Sequence, residues 1–516
     1  METREPGGSS TARRVAPGGY FASYLWNSAA KLGDFGLVYL FSVLLARMLD
    51  PVAYGSYATI VSLSTLVFVL SSMGIDKTLH RYLGELSATR EGAAGVPSLL
   101  RFLVAVRVAL LAILVAAAVL GRDWIALRYE NDMMARLILA ASLYMVCQSL
   151  ASFASNVLVG LLRTRTVGIL TVIFRASNLG LAYAVLRSGG GVGEILLVLG
   201  GTSAALLVAY LWKTLPLFRG AGGGLRRRNV LGFAASAWVL TAVGFGLGKQ
   251  SDVILLNAIR HSQQEVAYYD VAFSITQVVG TVLTVGLAGI SLALFSRRQK
   301  TSPDDVGGLW RSFVVIVGSA VVPFVIFLIA NARASVVAVY GPGYEEAGTL
   351  LAAYAIPMCV NWLLGGGASS TFLQATHRIR AVVAVRVALG VTNVILNVFL
   401  IRIWGAVGAL AGTGACAASA VIGEVVITRR VSGVNVPGRH LAPVGLAVAV
   451  ALVPSLVWRP SGLTALLAHG LAFAALYAAL LTALRPLPPL DDGLLRALPG
   501  ALRKWITRLS RRTAAS

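Results

Sequence analysis

The sequence predicts an all-α polytopic membrane protein of about fourteen transmembrane helices, built as two pseudo-symmetric six-helix lobes followed by two further helices. Three observations carry that reading. The 516 residues are 57% hydrophobic and only 13% charged, with a mean hydropathy of +0.78, beyond what a soluble chain of this size reaches. Basic residues gather on alternate connections between the apolar runs. Matching residues recur in the two halves at a nearly constant offset.

The first nineteen residues form a polar tail. From Tyr20 the chain is too long and too interrupted by charge for a cleavable signal segment, so it reads as a first span. Runs long enough to cross a bilayer as helices follow at 20–47, 56–75, 99–120, 137–161, 167–186 and 192–214. The glycine-rich, basic stretch 218–230 reads as a linker, after which spans are expected at 231–258, 266–295, 311–331, 347–373, 381–401 and 405–428. Trp404 and Gly405 leave a very tight turn between the last two. Two more spans, 441–458 and 463–484, lie outside the repeat, and 485–516 forms a basic tail, read either as an amphipathic helix on anionic headgroups or as a disordered segment. The domain division is therefore 1–19, a first lobe at 20–217, the linker, a second lobe at 231–430, the pair at 441–484 and the tail.

Of the 44 Lys and Arg residues, thirty fall on connections that share the side of the N-terminus and nine on the opposite side. The positive-inside rule places both termini in the cytoplasm of a cell's inner membrane. The net charge of +23 is thus an orientation signal and does not point to nucleic acid. Cys147, Cys359 and Cys416 all fall in spans without ligand-like spacing, so neither a disulfide framework nor a metal site is expected.

The repeat shows in Arg163 and Arg165 against Arg378 and Arg380, in Asn178 against Asn393, and in Val192-Gly193 against Val407-Gly408, all 215 apart. Six spans per copy give both copies the same orientation in the bilayer, related by an axis along the membrane normal. The stretches LARMLDPVAYGSYATIVSL, SDVILLNAIRHSQQEVAYYDVAFSI, VYGPGYEEAGTLLAAYAI and FLQATHRIRAVVAVRVALGVTNVILNVFLIRIWGAVGALAGT resemble the polysaccharide transporter branch of the MATE-like MOP flippase superfamily. The likeness covers about Tyr20 to Arg430 and departs from the family pattern at Arg402, where a proline is usual. It implies a V-shaped pair of lobes that exports a lipid-linked oligosaccharide by alternating access, with membrane lipids and polysaccharide assembly proteins as partners.

Five cations fall inside spans: Lys31, Arg107, Arg175, Lys249 and Arg386. Each costs at least about 2.5–3.5 kcal/mol to insert, so each is expected to face protein or a water-filled cavity. The carboxylates counted against them are Asp34 and Asp252, with Glu194 and Glu424 near helix ends, which predicts a net positive cavity. A polyprenyl pyrophosphate needs such cations, and arginine offers phosphate two parallel donors. Arg386, Asn393 and Asn397 form one helical stripe, and Arg175 with Asn178 begins the matching one. These residues and Arg107 are the candidates for the pyrophosphate and sugar. Against that, Arg107 and Arg386 lie near helix ends and could snorkel to the interface, and the asparagines could be interhelical glue.

KLGD at 31–34 and KQSD at 249–252 repeat a lysine and an aspartate at i,i+3. One reading is mutual neutralisation for insertion. The other makes Lys31, Asp34, Lys249 and Asp252 a coupling apparatus in which a carboxylate takes up H⁺ or Na⁺. By its depth in its span, Asp34 is expected to be the better shielded acid. No cofactor is expected, and without a phosphate-binding loop the energy source is an ion gradient, the membrane potential or consumption of the product.

Three rival functions remain. A lipid II flippase shares the fourteen-span plan. A multidrug or cation antiporter of the same fold would need an acidic or neutral cavity. A membrane glycosyltransferase or polymerase, an enzyme, would need clustered carboxylates in a large outward loop, and the longest, 121–136, holds Asp123, Glu130 and Asp132 without metal-ligand spacing.

Overall fold

The computed structural model describes residues 17–87, 94–220, 227–246, 248–436, 438, 441–458, 460–484, 503, 504, 507 and 509. Side chains are described from Leu32 onward, except at 240, 285–290, 293, 441 and 456. Among the described residues every regular element is helical. Much of the expected tail, part of the linker and the side chain of Lys31 lie outside them.

The first half runs α1 (Pro17–Met48), α2 (Pro51–Ser72), α3 (Ile75–Ser87), α4 (Val96–Leu120), α5 (Arg122–Arg128), α6 (Met133–Gly160), α7 (Thr164–Arg187) and α8 (Val192–Thr214). The second half repeats the succession with α9 (Arg227–Gly246) and α10 (Lys249–Arg260), α11 (Gln263–Thr301), α12 (Val306–Ala330), α13 (Ala332–Tyr340), α14 (Ala347–Leu363), α15 (Ala368–Ala375) and α16 (Ile379–Ser432). The short helix after the third crossing recurs as well, α5 after α4 and α13 after α12. α17 (Leu441–Ala451), α18 (Val453–Val457) and α19 (Leu463–Leu484) close the chain and bury Phe473 against Phe324 and Phe327 of α12.

Eleven described helices are long and apolar enough to cross a membrane by length and composition. Their number falls short of fourteen partly because α16 is counted once although it is a hairpin. Asn397 Nδ2 lies 3.2 Å from Thr413 Oγ1, whereas sixteen residues of unbroken helix would part them by about 24 Å. The reversal sits at Gly405, with φ 56° and ψ −134°, a conformation open to glycine and strained for any side chain. Glu265 Oε2 accepts the Ala406 N–H left over at the turn, at 3.1 Å. The tight turn expected at Trp404-Gly405 is present. Ala442–Ser455 is a shorter apolar helix.

Two expected spans are interrupted. Residues 231–258 divide into α9 and α10, because Gly248 is extended (φ −103°, ψ 162°) and begins a new helix. Both pieces pack on α16 and α2, but α9 also lies against α3 and donates Trp238 Nε1 to the Val69 carbonyl of α2 at 3.1 Å, while α10 also lies against α11. Residues 347–373 divide into α14 and α15 around Gly365 and Gly366, both with positive φ.

The halves meet most closely where α2 crosses α11. Asp50 caps α2, its Oδ1 accepting from Val52 and Ala53 N–H at 2.9 and 3.0 Å, and Ser262 caps α11 by accepting from Glu265 N–H. Gly55 then lets the backbones touch, since a Cβ there would stand 1.8 Å from the Gln263 carbonyl oxygen. Thr59, Asn257 and Gln263 bond to one another in the same buried seam.

Candidate functional site

A cavity of about 600 Å³ lies between the halves, bounded by α1, α2 and α7 on one side and by α10 and α11 on the other. At the end of the bundle that carries the α1–α2 connection, it is stopped by tyrosines from both halves. Tyr39, Tyr54 and Tyr57 come from α1 and α2, Tyr340 from α13, and Tyr344 from the turn after it. Their ring centroids stand about 6 Å apart in edge and tilted contacts. Arg47 at the end of α1 reaches the last carbonyls of α13, with Nε 2.7 Å from Val339 O. Helix ends leave such carbonyls unpaired, so a cation there both pairs them and complements the helix dipole.

The cavity wall carries fixed charge in pairs. Arg175 Nε donates to Asp34 Oδ1 at 3.0 Å, joining α7 to α1. Lys249, the first residue of α10, places Nζ 2.7 Å from Asp270 Oδ1 on α11. The other oxygen of Asp270 accepts from the buried Tyr54 hydroxyl at 2.9 Å, and Ser42 Oγ lies 2.7 Å from the same hydroxyl. Asn178, Gln250, Gln277, Tyr57 and Tyr144 supply neutral polar and aromatic lining.

Two sequence expectations change here. Lys249 does not bond to Asp252, its i,i+3 neighbour, but to Asp270, since the break before α10 turns the lysine toward α11. The cavity's cations are balanced rather than in excess, because Asp270 was not counted among the acids of the spans. An acid in the apolar run VAYYDVAF costs as much to insert as a lysine, and that signal was available in the sequence.

Asp252 occupies a separate centre, fully buried in the second half. Its Oδ1 accepts from Asn397 Nδ2 at 2.7 Å, and its Oδ2 accepts from Tyr269 OH at 2.6 Å and from Thr413 Oγ1. Asn393 lies beside it, donating to the Gly246 carbonyl at 2.9 Å, which fixes the end of α9. Among the described residues no cation pairs with Asp252. The depth expectation is reversed, because the side chain of Asp34 is 39% exposed and Asp252 is at 0%. Depth along a span does not report exposure when a cavity enters the bundle from one side.

The remaining candidates stand apart from the cavity. Arg107 is buried at 1%, donating to Asp76 at 2.7 Å and to Ser149 at 3.2 Å, and so ties α4 to α3 and α6. Arg386 donates to Glu424 Oε1 at 2.9 Å between the two arms of α16. The stripe of Arg386, Asn393 and Asn397 is thereby divided, with the arginine at one ion pair and both asparagines at Asp252. Sequence reasoning missed Asp76, Asp270, Tyr54, Tyr269 and Thr413. No ordinary helical spacing joins them to their partners.

Two lobes of helices long and apolar enough to span a membrane surround a central polar cavity. The chain belongs to the polysaccharide biosynthesis protein family, whose model matches residues 44–348. Among solved structures it is similar to the lipid II flippase MurJ in an inward closed conformation, with a TM-score of 0.71 at 12% identity over 89% of this chain and 98% of that one. It is also similar to a multidrug resistance MATE family transporter of the MOP superfamily in an inward-facing conformation, with a TM-score of 0.62 at 12% identity over 78% and 94%. A comparison with curated protein sequences returns no match.

Proposed function

We propose that the protein exports a polyprenyl-pyrophosphate-linked oligosaccharide across the cytoplasmic membrane by alternating access, for synthesis of a surface polysaccharide. The observation that carries this is the cavity wall, where Arg175 and Lys249 stand among neutral amides and tyrosines. The cations suit a pyrophosphate, and the amides and ring faces suit sugars. The family supports a lipid-linked substrate. On the orientation read from the cations, the tyrosine plug is the outward gate and both termini are cytoplasmic. The protein acts on its substrate by moving it, without chemical change.

Coupling to an ion is assigned to Asp252. A carboxylate buried without a cation is costly to hold ionised, so uptake of H⁺ or Na⁺ there is favourable. Asn397 Oδ1 is buried and has no hydrogen-bond partner among the described residues, leaving a second oxygen for an incoming cation.

Arg175 is the position to test. Arg175→Glu should abolish export of the lipid-linked sugar in cells while the protein remains folded in the membrane, because a pyrophosphate cannot be desolvated beside carboxylates. Arg175→Lys should retain part of the activity, keeping the charge and losing the paired donors. Export by Arg175→Glu at the unmodified rate would remove this reading of the cavity.

A further inference from the structure

We infer that Lys249 is a pyrophosphate contact and Asp270 a positioning residue that ties occupancy of that contact to the tyrosine gate. The inference rests on the proposed lipid-pyrophosphate substrate and adds to it the residues through which the anion would open the outward side.

The chain of contacts is continuous. Lys249 holds Asp270 Oδ1 at 2.7 Å, Asp270 Oδ2 holds the Tyr54 hydroxyl at 2.9 Å, and Ser42 Oγ joins that hydroxyl at 2.7 Å. Tyr54 belongs to the first half, and Lys249 and Asp270 to the second, so the Asp270 carboxylate is a polar link between lobes. It holds the hydroxyl of the same Tyr54 whose ring meets Tyr344 edge-on. Asp270 is 5% exposed, while the Lys249 side chain is 24% exposed and faces the cavity with Gly248 and Gln250. The lysine is therefore the member that a ligand can reach.

A pyrophosphate carries more charge than one carboxylate and would compete for Lys249. Once it does, Asp270 loses its cation and stands near a second anion. The carboxylate is then repelled by the anion with no cation to hold it, and its bond to Tyr54 is no longer held in place. The tyrosine plug keeps only its ring contacts, which hydration can replace as the lobes part. A neutral ligand in the same cavity has no such effect, since it leaves the Lys249 to Asp270 pair intact. The gate thus responds to the charge class of the cargo.

The test uses the full chain in lipid nanodiscs, with spin labels on cysteines at Val52 and Glu346, exposed positions on the two halves beside the gate. A polyprenyl pyrophosphate is the probe, and polyprenyl alcohol is the uncharged control. In otherwise unmodified protein the pyrophosphate should shift the label distances toward a longer population, and the alcohol should leave them unchanged. Asp270→Asn should populate the long distance without any lipid, by about tenfold or more for loss of a charged hydrogen-bonded link. Tyr54→Phe removes only the hydroxyl and should do the same while still binding the pyrophosphate lipid, which is read separately as lipid retained by native mass spectrometry. If the lipid is retained and both variants stay closed, the gate link is overturned and the substrate reading stands. If the lipid is not retained by unmodified protein, both are overturned.

Discussion

The two halves place an aspartate at corresponding positions, Asp34 on α1 and Asp252 on α10, 218 residues apart, and surround them differently. In the fifth span, where the halves align 215 apart, Arg175 has Gly390 as its counterpart. In the first half the arginine reaches the acid, and the pair is partly open to the cavity, with side chains 31% and 39% exposed. In the second half Tyr269, Thr413 and Asn397 donate to the acid, and the site is closed to solvent. The first acid is thus held by a fixed cation at the edge of water, and the second by neutral donors in a dry centre. The two halves repeat the order of their helices, and a broken span and a few side chains made one copy a charged wall of the cavity and the other a closed polar centre.

The largest expected effect separates the two acids. Asp252→Asn keeps the size of the side chain and should reduce gradient-driven transport to background at normal expression. Asp34→Asn should lower transport by no more than about fivefold, the scale of a solvent-screened pair. Uptake into proteoliposomes under an imposed H⁺ or Na⁺ gradient measures both. Equal losses at the two positions would erase the distinction between the lobes, and loss at Asp34 alone would return coupling to the first half.

A smaller effect concerns Arg386 and Glu424, a half-exposed arginine on a carboxylate at 0% exposure. Arg386→Gln leaves that carboxylate buried without a cation and should cost about 2 kcal/mol, below the 3–5 of a fully buried pair because water reaches the arginine side. Joined with Glu424→Gln, most of the loss should return, as read by thermal unfolding in detergent. Charge reversal at Arg386 is a poor probe of substrate binding, because it would set a second carboxylate against the fully buried Glu424, whereas Asp34 beside Arg175 is 39% exposed and can turn to water. If the double change were no better than the single one, the pair would be a contact for something other than itself.

The all-helical membrane fold was legible from hydropathy, and the turn at Gly405 from a tryptophan and a glycine where two apolar runs touch. The site was legible only in part. Inserted cations announce themselves by cost, and Arg175 and Lys249 do line the cavity. Their partners do not follow from spacing: Asp34 lies 141 residues from Arg175 and Asp270 lies 21 from Lys249. Local periodicity favoured the i,i+3 pairing of Lys249 with Asp252, but the broken span rotated the lysine to another helix. Tyr54 was invisible as a gate residue because its role depends on α2 meeting α11, a contact between halves that no pattern within either half encodes.

The smallest effect provides the sharpest control on the comparison. Both halves join an asparagine of the fifth span to a threonine of the sixth: Thr202 Oγ1 donates to Asn178 Oδ1 at 2.5 Å, and Asn397 Nδ2 donates to Thr413 Oγ1 at 3.2 Å. Only in the second half does the threonine also serve a carboxylate. Thr202→Val should therefore cost about 1 kcal/mol, an ordinary neutral hydrogen bond, and leave the ion dependence of transport unchanged. Thr413→Val removes a donor from a buried charged group, worth about 1.5–3 kcal/mol, and should also shift the ion concentration for half-maximal transport. The melting temperatures test the energetic difference, and the ion titration tests the functional one. A shifted titration for Thr202→Val would mean that the first half senses the ion too, through neutral groups alone, and that the missing carboxylate does not set the lobes apart.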